Sequence, residues 1–382
     1  MRIAVVHSFY TSTRPSGENT VVTDQVEELK CAGHEVLLVG RRTDDEAQRT
    51  IYPVRAALTV VTGRGPSPGD DLMRFDPDVV HLHNTFPNWG TTWLSEWGSR
   101  TVVTLHNFRP LCSNGLLFRD GHPCTDCLRI PVLPAVRHRC YRRSAVASIP
   151  TALGSAPIGA LRGVPRRAAK VLCLNEDAAE TYRRYLGVDV AVVPNFVPPA
   201  ARVQRPERRW IFVGRLSDEK GIDRLLENWP RNERLDVAGE GPLRALVERV
   251  SAQRPEIRLL GLVDRPVVLE MLGSYAGLIL PSMCAESLAT VVLEALAAGV
   301  PAILSSRVQA SESLVDRGAA ETFDPTWSTE QLARVTASVW QRRESMSAAA
   351  AAVYQDEYSP AAWLSRIQPI YEQVARVARD GT

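Results

Sequence analysis

Short, almost unbroken apolar runs recur through the first half of the chain: RIAVVHSF, EVLLVGR, DVVHLHN, RTVVTLHN, KVLCLNE and VAVVPN. Runs of Val, Ile and Leu without polar alternation suit strands covered on both faces, so they predict a parallel sheet flanked by helices. TVVTDQVEELKCAG, between the first two runs, has amphipathic helical spacing. The rhythm breaks at PNFVPPAARVQRPERR (194–209) and restarts with RWIFVGRL, LDVAGEG, IRLLGLV, AGLILPS and PAILSS. Two doubly wound α/β domains follow: an N-terminal one over 1–196, a hinge over 197–208 and a C-terminal one over 209–360. The tail, 361–382, has helical spacing with no strand after it and is expected to pack back on the N-terminal domain.

Length and composition agree with this division. A chain of 382 residues is long for a single core. A net charge of +2, 45% hydrophobic and 23% charged residues are ordinary for a globular protein and name no partner. No apolar run approaches the ~20 residues of a membrane span, and MRIAVVHSF reads as a first strand rather than a signal peptide, so a cytoplasmic location is expected. Seven cysteines, an odd number, suit a reducing compartment better than a disulfide framework. Arginine is used so heavily that the only lysines are Lys30, Lys170 and Lys220.

Ligands of open parallel sheets sit beyond the carboxyl ends of the strands, so the loops there carry the chemistry. The first loop, SFYTSTRPSGEN, has one glycine, Gly17, and no G-x-G-x-x-G, which disfavours a nicotinamide dehydrogenase. In the second half VGRLSDEKG supplies a strand end, Gly214, then Arg215 and Lys220 ahead of a helix, a combination able to seat a diphosphate. The stretch SMCAESLATVVLEALAAG (282–299) reads as a buried helix from Ser287, yet it carries Glu286 at its start and Glu294 in its middle. An unpaired buried carboxylate costs several kcal/mol, so Glu294 needs either a ligand or an arginine partner.

GRLSDEKGID, AGEGP, LILPSMCAES and the Glu286/Glu294 pair resemble, in order and spacing, the donor half of retaining glycosyltransferases of family 4, of the kind acting in polysaccharide or glycolipid assembly. HLHNTFP and TLHNFRPLC suit the same family. The resemblance implies a GT-B fold, two Rossmann-like domains facing across a cleft. It implies that Arg215 and Lys220 hold the nucleotide diphosphate, that Glu294 takes the ribose hydroxyls, and that Glu286 meets the transferred sugar. Gly214, Glu240, Ser287, Leu288, Ala289 and Thr290 would complete the donor site with Gly17. His106, at a strand's carboxyl end, would contact the sugar near the reacting centre, with Ser16, Glu18, His83, Asn84 and Asn107 on the acceptor side. Ala289 stands where the family often has glycine or proline, and Gly17 stands alone where two glycines are usual.

The expected reaction moves a hexose-type sugar from a nucleotide diphosphate sugar to a hydroxyl of a glycan or lipid-linked acceptor. An epimerase of the same fold and a non-catalytic nucleotide-sugar binding subunit are the alternatives. Asp76-Pro77-Asp78 spells a metal-binding D-x-D but precedes a strand, the wrong end for a ligand, so it reads as a proline turn and no catalytic metal is expected. Cys112, Cys124, Cys127 and Cys140 form C-x11-C-x2-C-x12-C in a segment rich in Gly, Pro and Arg, leaving structural zinc and free thiols both open. No acidic residue occurs between Asp126 and Glu176, where nine basic ones do. That stretch is either a solvated face or a dock for an anionic membrane surface at the inner face of the cell membrane. Nucleic acid is not expected, since no binding motif accompanies the arginines.

Overall fold

The computed structural model describes residues 1–11, 16–48, 50–202, 206–287, 289–324 and 326–380. The chain divides into two units, an N-terminal one (Met1–Arg119, Cys124–Pro194, Leu364–Thr382) and a C-terminal one (Asp120–Pro123, Asn195–Trp363). Each holds a six-stranded sheet whose paired neighbours are all parallel.

In the N-terminal unit the strands are β1 (Arg2–Phe9), β2 (Glu35–Arg42), β3 (Val79–Asn84), β4 (Thr101–Leu105), β5 (Lys170–Cys173) and β6 (Val190–Val192). Their order is β2-β1-β3-β4-β5-β6. The order reverses between β1 and β3, so a crevice opens beyond the carboxyl ends of those two strands. Strands β1, β3 and β4 are buried almost throughout, as their unbroken apolar runs require. Helix α1 (Gly17–Cys31) follows β1 and buries Val21, Val22, Val26 and Leu29.

The C-terminal unit contains β7 (Arg209–Val213), β8 (Arg234–Ala238), β9 (Ile257–Gly261), β10 (Gly277–Leu280), β11 (Ala302–Ser305) and β12 (Ala320–Phe323) in the order β9-β8-β7-β10-β11-β12. Its reversal lies between β7 and β10, so the loops after these strands, 214–221 and 281–287, converge at the ligand end. Helix α2 (Thr290–Ala297) is buried at every position from Val291 onward and packs in the core of this sheet. It begins three residues later than the sequence suggests: Ser287 and Ala289 precede it, and Leu288 lies outside the described residues. β12 is a strand that the apolar pattern misses, because an edge strand needs less burial and AETF carries a glutamate.

The unit boundary falls at Pro194/Asn195, and the stretch read as the start of a hinge is partly core. Val197 is fully buried, its amide donates to Tyr358 O at 3.2 Å, and its carbonyl accepts from the Tyr354 hydroxyl at 3.1 Å. Helix α3 (Pro360–Asp380) begins in the C-terminal unit and enters the N-terminal one at Leu364. There the Tyr371 hydroxyl lies 2.6 Å from His81 Nδ1, and Arg379 Nη2 donates to Asp78 Oδ1 at 2.6 Å. Asp78 also accepts from the Arg2 amide at 2.9 Å, so the second aspartate of the D-x-D ties the residue before β3 to the start of β1 and to α3.

Candidate functional site

Two sets of polar side chains gather at the carboxyl ends of the two sheets. In the C-terminal unit the loop after β7 is locked to the loop after β8. Gly214 N donates to Ala238 O at 3.0 Å, Leu216 N to Glu240 O at 2.9 Å, and Leu243 N to Leu216 O at 2.9 Å. Contact this close forbids side chains: a Cβ on Gly239 (φ +144°) would stand 1.9 Å from Gly214 O, and one on Gly241 2.3 Å from Leu216 O. These two glycines of AGEG therefore set the height at which Arg215 leaves the sheet. The motif's spacing carried that signal, although only Glu240 is singled out by sequence. Glu240 itself is partly exposed and pairs with Arg244, the first residue of the following helix (Arg244–Gln253).

Arg215 is half exposed, its Nη1 3.8 Å from Glu219 Oε1, and so can turn to a ligand. Lys220 is held quite differently. Gly221 (φ +68°) lets the chain pass so close to the next loop that a Cβ there would lie 2.2 Å from Pro281 O, and Met283 N donates to Glu219 O at 2.8 Å. This joint brings the Lys220 ammonium onto Glu286 Oε1, while Ser282 Oγ donates to Glu286 Oε2 at 2.5 Å. Burial is the largest single influence and works against the ammonium, but the Glu286 charge and hydrogen bond together with Cys284 and Glu219 raise the Lys220 pKa above its ordinary value. The lysine thus stays protonated while largely stripped of water.

Glu294 is 5% exposed and accepts from Arg265 Nε at 2.6 Å. The arginine partner that the sequence leaves as the alternative is present, and Arg265 was not foreseen because it arrives from the helix after β9. Arg265 pairs with this carboxylate on α2, whose N-cap, Ala289, supplies no side-chain acceptor. Within the first turn Val292 N donates to Ala289 O at 2.9 Å. Ser287 Oγ donates to Gln309 Oε1 at 3.2 Å, fixing the approach to that helix end.

The N-terminal unit gathers neutral groups. His83 Nδ1 and His106 Nε2 are 2.9 Å apart, His7 Nε2 lies 3.0 Å from Asn19 Oδ1, and His81 Nε2 lies 2.8 Å from Thr104 Oγ1. Burial pushes His7 down to about 4, and His81 and His106 down to about 3; His83 falls well below its ordinary value, first by burial and then by the neighbouring imidazoles. All four rings are therefore uncharged at neutral pH. Beside them Asn84 Nδ2 donates to the Tyr10 hydroxyl at 2.9 Å, and Asn107 Nδ2 donates to Glu18 Oε2 at 3.3 Å. Arg109 is fixed over the Phe86 ring at 4.5 Å, and its amide donates to Asn107 Oδ1 at 2.9 Å. Burial raises Glu18 to about 7 against the pull of Asn84, Arg109 and Asn107, and its Oε1 is buried without a hydrogen-bond partner among the described residues. Ser16 is the N-cap of α1 and Gly17 its first, exposed residue. His7, Tyr10 and Arg109 were missed by sequence; His7 had a signal, as the one ring nitrogen pair inside an otherwise apolar first strand.

Cys112, Cys124, Cys127 and Cys140, all partly buried, line one small cavity of about 10 Å³ in the N-terminal unit. Among the described residues no three His, Cys, Asp or Glu side chains stand in a set already spaced to hold a metal ion. None of the described helices is long and apolar enough to cross a membrane.

Comparison with known proteins covers both halves. Residues 15–201 match Glycosyltransferase Family 4, and residues 207–341 match Glycosyl transferases group 1. A GDP-mannose-dependent alpha-(1-6)-phosphatidylinositol dimannoside mannosyltransferase of Mycobacterium tuberculosis is 28% identical over 90% of this chain and 89% of its own. An uncharacterized glycosyltransferase of Methanocaldococcus jannaschii is 35% identical, but over only 27% of this chain and 28% of that relative. Among solved structures, sucrose-phosphate synthase from Thermosynechococcus elongatus superposes with a TM-score of 0.68 at 15% identity, over 98% of both chains. WaaG, a glycosyltransferase involved in lipopolysaccharide biosynthesis, gives 0.58 at 14% identity, over 98% of this chain and 99% of its own. At such identities these two speak for the fold alone.

Proposed function

Since the chain is a glycosyltransferase of family 4 with the GT-B fold, we propose that it transfers a hexose from a nucleoside diphosphate sugar to a hydroxyl of a glycan or lipid-linked acceptor, with retention and without a catalytic metal. The observation that carries this reading is the Lys220–Glu286 pair, set on two loops at the reversal point of the C-terminal sheet. A desolvated ammonium fixed there, with Arg215 free to swing in, neutralises a diphosphate as it arrives and as it leaves. Glu294, paired with Arg265, accepts from the ribose hydroxyls, and Glu286 accepts from hydroxyls of the sugar. His106, neutral and held by His83, meets the sugar as a hydrogen-bonding group rather than as a charge.

In the proposed front-face displacement the bond from the anomeric carbon to the diphosphate oxygen breaks as the bond to the acceptor oxygen forms on the same face. The acceptor's proton passes to the departing diphosphate. The protein supplies orientation and charge stabilisation, terms able to account for most of such an acceleration. The mannosyltransferase relative makes GDP-mannose the first donor to try. The test is thermal unfolding against a panel of nucleosides, nucleoside diphosphates and their sugars, followed by transfer with the best donor. We expect a diphosphate to stabilise well beyond its nucleoside, because a ligand bound only by the folded state stabilises by mass action. No response to any nucleoside diphosphate or its sugars overturns the reading.

A lipid-linked acceptor is favoured by one face of the N-terminal unit. The helices Tyr52–Thr62 and Ala145–Ser155 pack together and leave Val54, Leu58, Val146 and Ile149 exposed, in a part of the sequence where arginines are unopposed by acids. Such a face suits the surface of an anionic bilayer, where each basic residue adds about 1 kcal/mol. Phosphatidylglycerol vesicles should bind the protein, and neutralising Arg139, Arg142, Arg143, Arg166 and Arg167 together should release most of it while transfer to a soluble acceptor survives. Equal sedimentation of wild type and variant refutes the dock.

A further inference from the structure

The four cysteines at 112, 124, 127 and 140 belong to none of the machinery above. They lie in a stretch that has little else to hold it. Between Cys112 and Arg143 the regular elements are two helices of 4 and 5 residues and two strands of 2 residues each. Only Phe118 and Ala135 are buried apolar side chains there, so hydrophobic burial alone gives this stretch little reason to keep one shape. Yet its backbone is more contorted than any other part of the described chain. Six of the eight non-glycine residues with positive φ fall here: Leu117, Asp120, Val132, Arg139, Arg142 and Arg143. Strained conformations of this kind persist only where the surroundings over-determine them.

The four thiols are where such a constraint can act. Three come from loops and turns and Cys127 from the short helix Asp126–Arg129, and the other three are each within electrostatic reach of Cys127. Backbone bonds from Cys124 N to Leu117 O at 2.8 Å and from Cys140 N to Ala135 O at 3.0 Å fold the flanking turns inward. The cavity the four share, about 10 Å³, has room for a single atom-sized occupant. No cysteine is disulfide-bonded in the structure. Arg119 lines the same cavity, and the stretch continues into a long run of sequence rich in arginine and free of acids.

We propose that these four cysteines form a structural zinc site, a tetrathiolate that fixes the 112–143 stretch of the chain. Binding converts four thiols to thiolates, releases four protons to the buffer, and leaves a centre with a net charge of −2, since Zn²⁺ carries +2 and four thiolates −4. A buried dianion asks for cationic surroundings, and Arg119 on the cavity wall with the arginines downstream supplies them. The thiols in the structure stand around the cavity without the close spacing of a coordinated set. Metal capture therefore draws them inward, which is a small movement for turns already converging. The site stands apart from sugar transfer and would be present in this chain whatever the donor proves to be.

The test uses the full-length protein purified from zinc-supplemented medium without chelator. Elemental analysis should give about one zinc per chain, as a closed four-ligand structural site requires. A mercurial titrated into the wild type should release that zinc to a colorimetric indicator, and cobalt reconstituted in its place should show thiolate-to-metal charge-transfer bands with tetrahedral d–d absorption. Cys124→Ser combined with Cys127→Ser should abolish zinc retention. Should that variant fail to fold, the mercurial and cobalt measurements on the wild type decide alone. Metal-free protein with four readily alkylated thiols overturns the proposal, and so does a pair of disulfides by mass spectrometry. A cobalt spectrum without thiolate bands overturns it as well.

Discussion

The two units solve the problem of a polar site in opposite ways. At the end of the C-terminal sheet the principal groups stand in ion pairs: Lys220 with Glu286, Arg265 with Glu294. At the end of the N-terminal sheet the titratable groups are held neutral or near their midpoint, with four histidines pushed down and Glu18 raised to about 7. A diphosphate needs fixed charge, whereas hydroxyl groups need donors and acceptors that do not compete for counterions. The contrast teaches that burial alone does not decide ionisation. In both places burial penalises charge, and the presence of an opposite charge within bonding reach separates the outcomes.

Breaking the ionised half should produce the largest effect. Lys220→Ala removes a desolvated cation and leaves Glu286 without it, so affinity for a nucleoside diphosphate should fall about 100-fold while affinity for the bare nucleoside barely moves. Isothermal titration with both ligands measures this, and equal losses would mean the loop is only structural. Glu294→Gln keeps the shape of the side chain but removes the charge facing Arg265. Nucleoside binding should weaken by about 10-fold, with the diphosphate increment retained. An unchanged nucleoside affinity in a folded variant removes Glu294 from the ribose.

The neutral half is probed by pH, through stability rather than affinity. Glu18 has a folded pKa of about 7 against an ordinary 4.5, so its contribution to stability is fully present below 4.5 and lost as pH rises through about 7. His7 runs the other way: its folded value of about 4 lies below the ordinary 6.5, so its contribution is present above 6.5 and lost as pH falls through about 4. Glu18→Gln should therefore match wild type near pH 4 and exceed it at pH 8, by on the order of 3 kcal/mol. Urea unfolding of both proteins across that range gives the difference curve. A flat difference would show that the carboxyl is ionised and paired in solution.

Much of this was legible in the sequence. Each of the eleven apolar runs singled out there is a strand, because strands buried on both faces leave no room for polar interruptions. Lys220, Glu286 and Glu294 stood out because charge is conspicuous inside apolar sequence. What stayed hidden depends on distance in the chain. Arg265 meets Glu294 across 29 positions, and Tyr371 meets His81 across 290, with no local pattern to announce either. Gly239 and Gly241 are small for reasons that exist only once Leu216 and Gly214 are laid against them. The beginning of α2 was misplaced because alanine and serine at 287–289 are compatible with both a helix and the turn that leads into one.

Helix α3 gives the N-terminal unit an unusual place in the order of synthesis. Its residues from Leu364 onward supply Tyr371, fully buried against His81, and Arg379 on the turn before β3. On the ribosome these residues emerge after the whole C-terminal sheet. The first sheet to be made must wait, its His81 face uncovered, while the second sheet is translated, at about 5–20 residues per second. The unit begun first is the one completed last, and during that interval it is a natural client for chaperones.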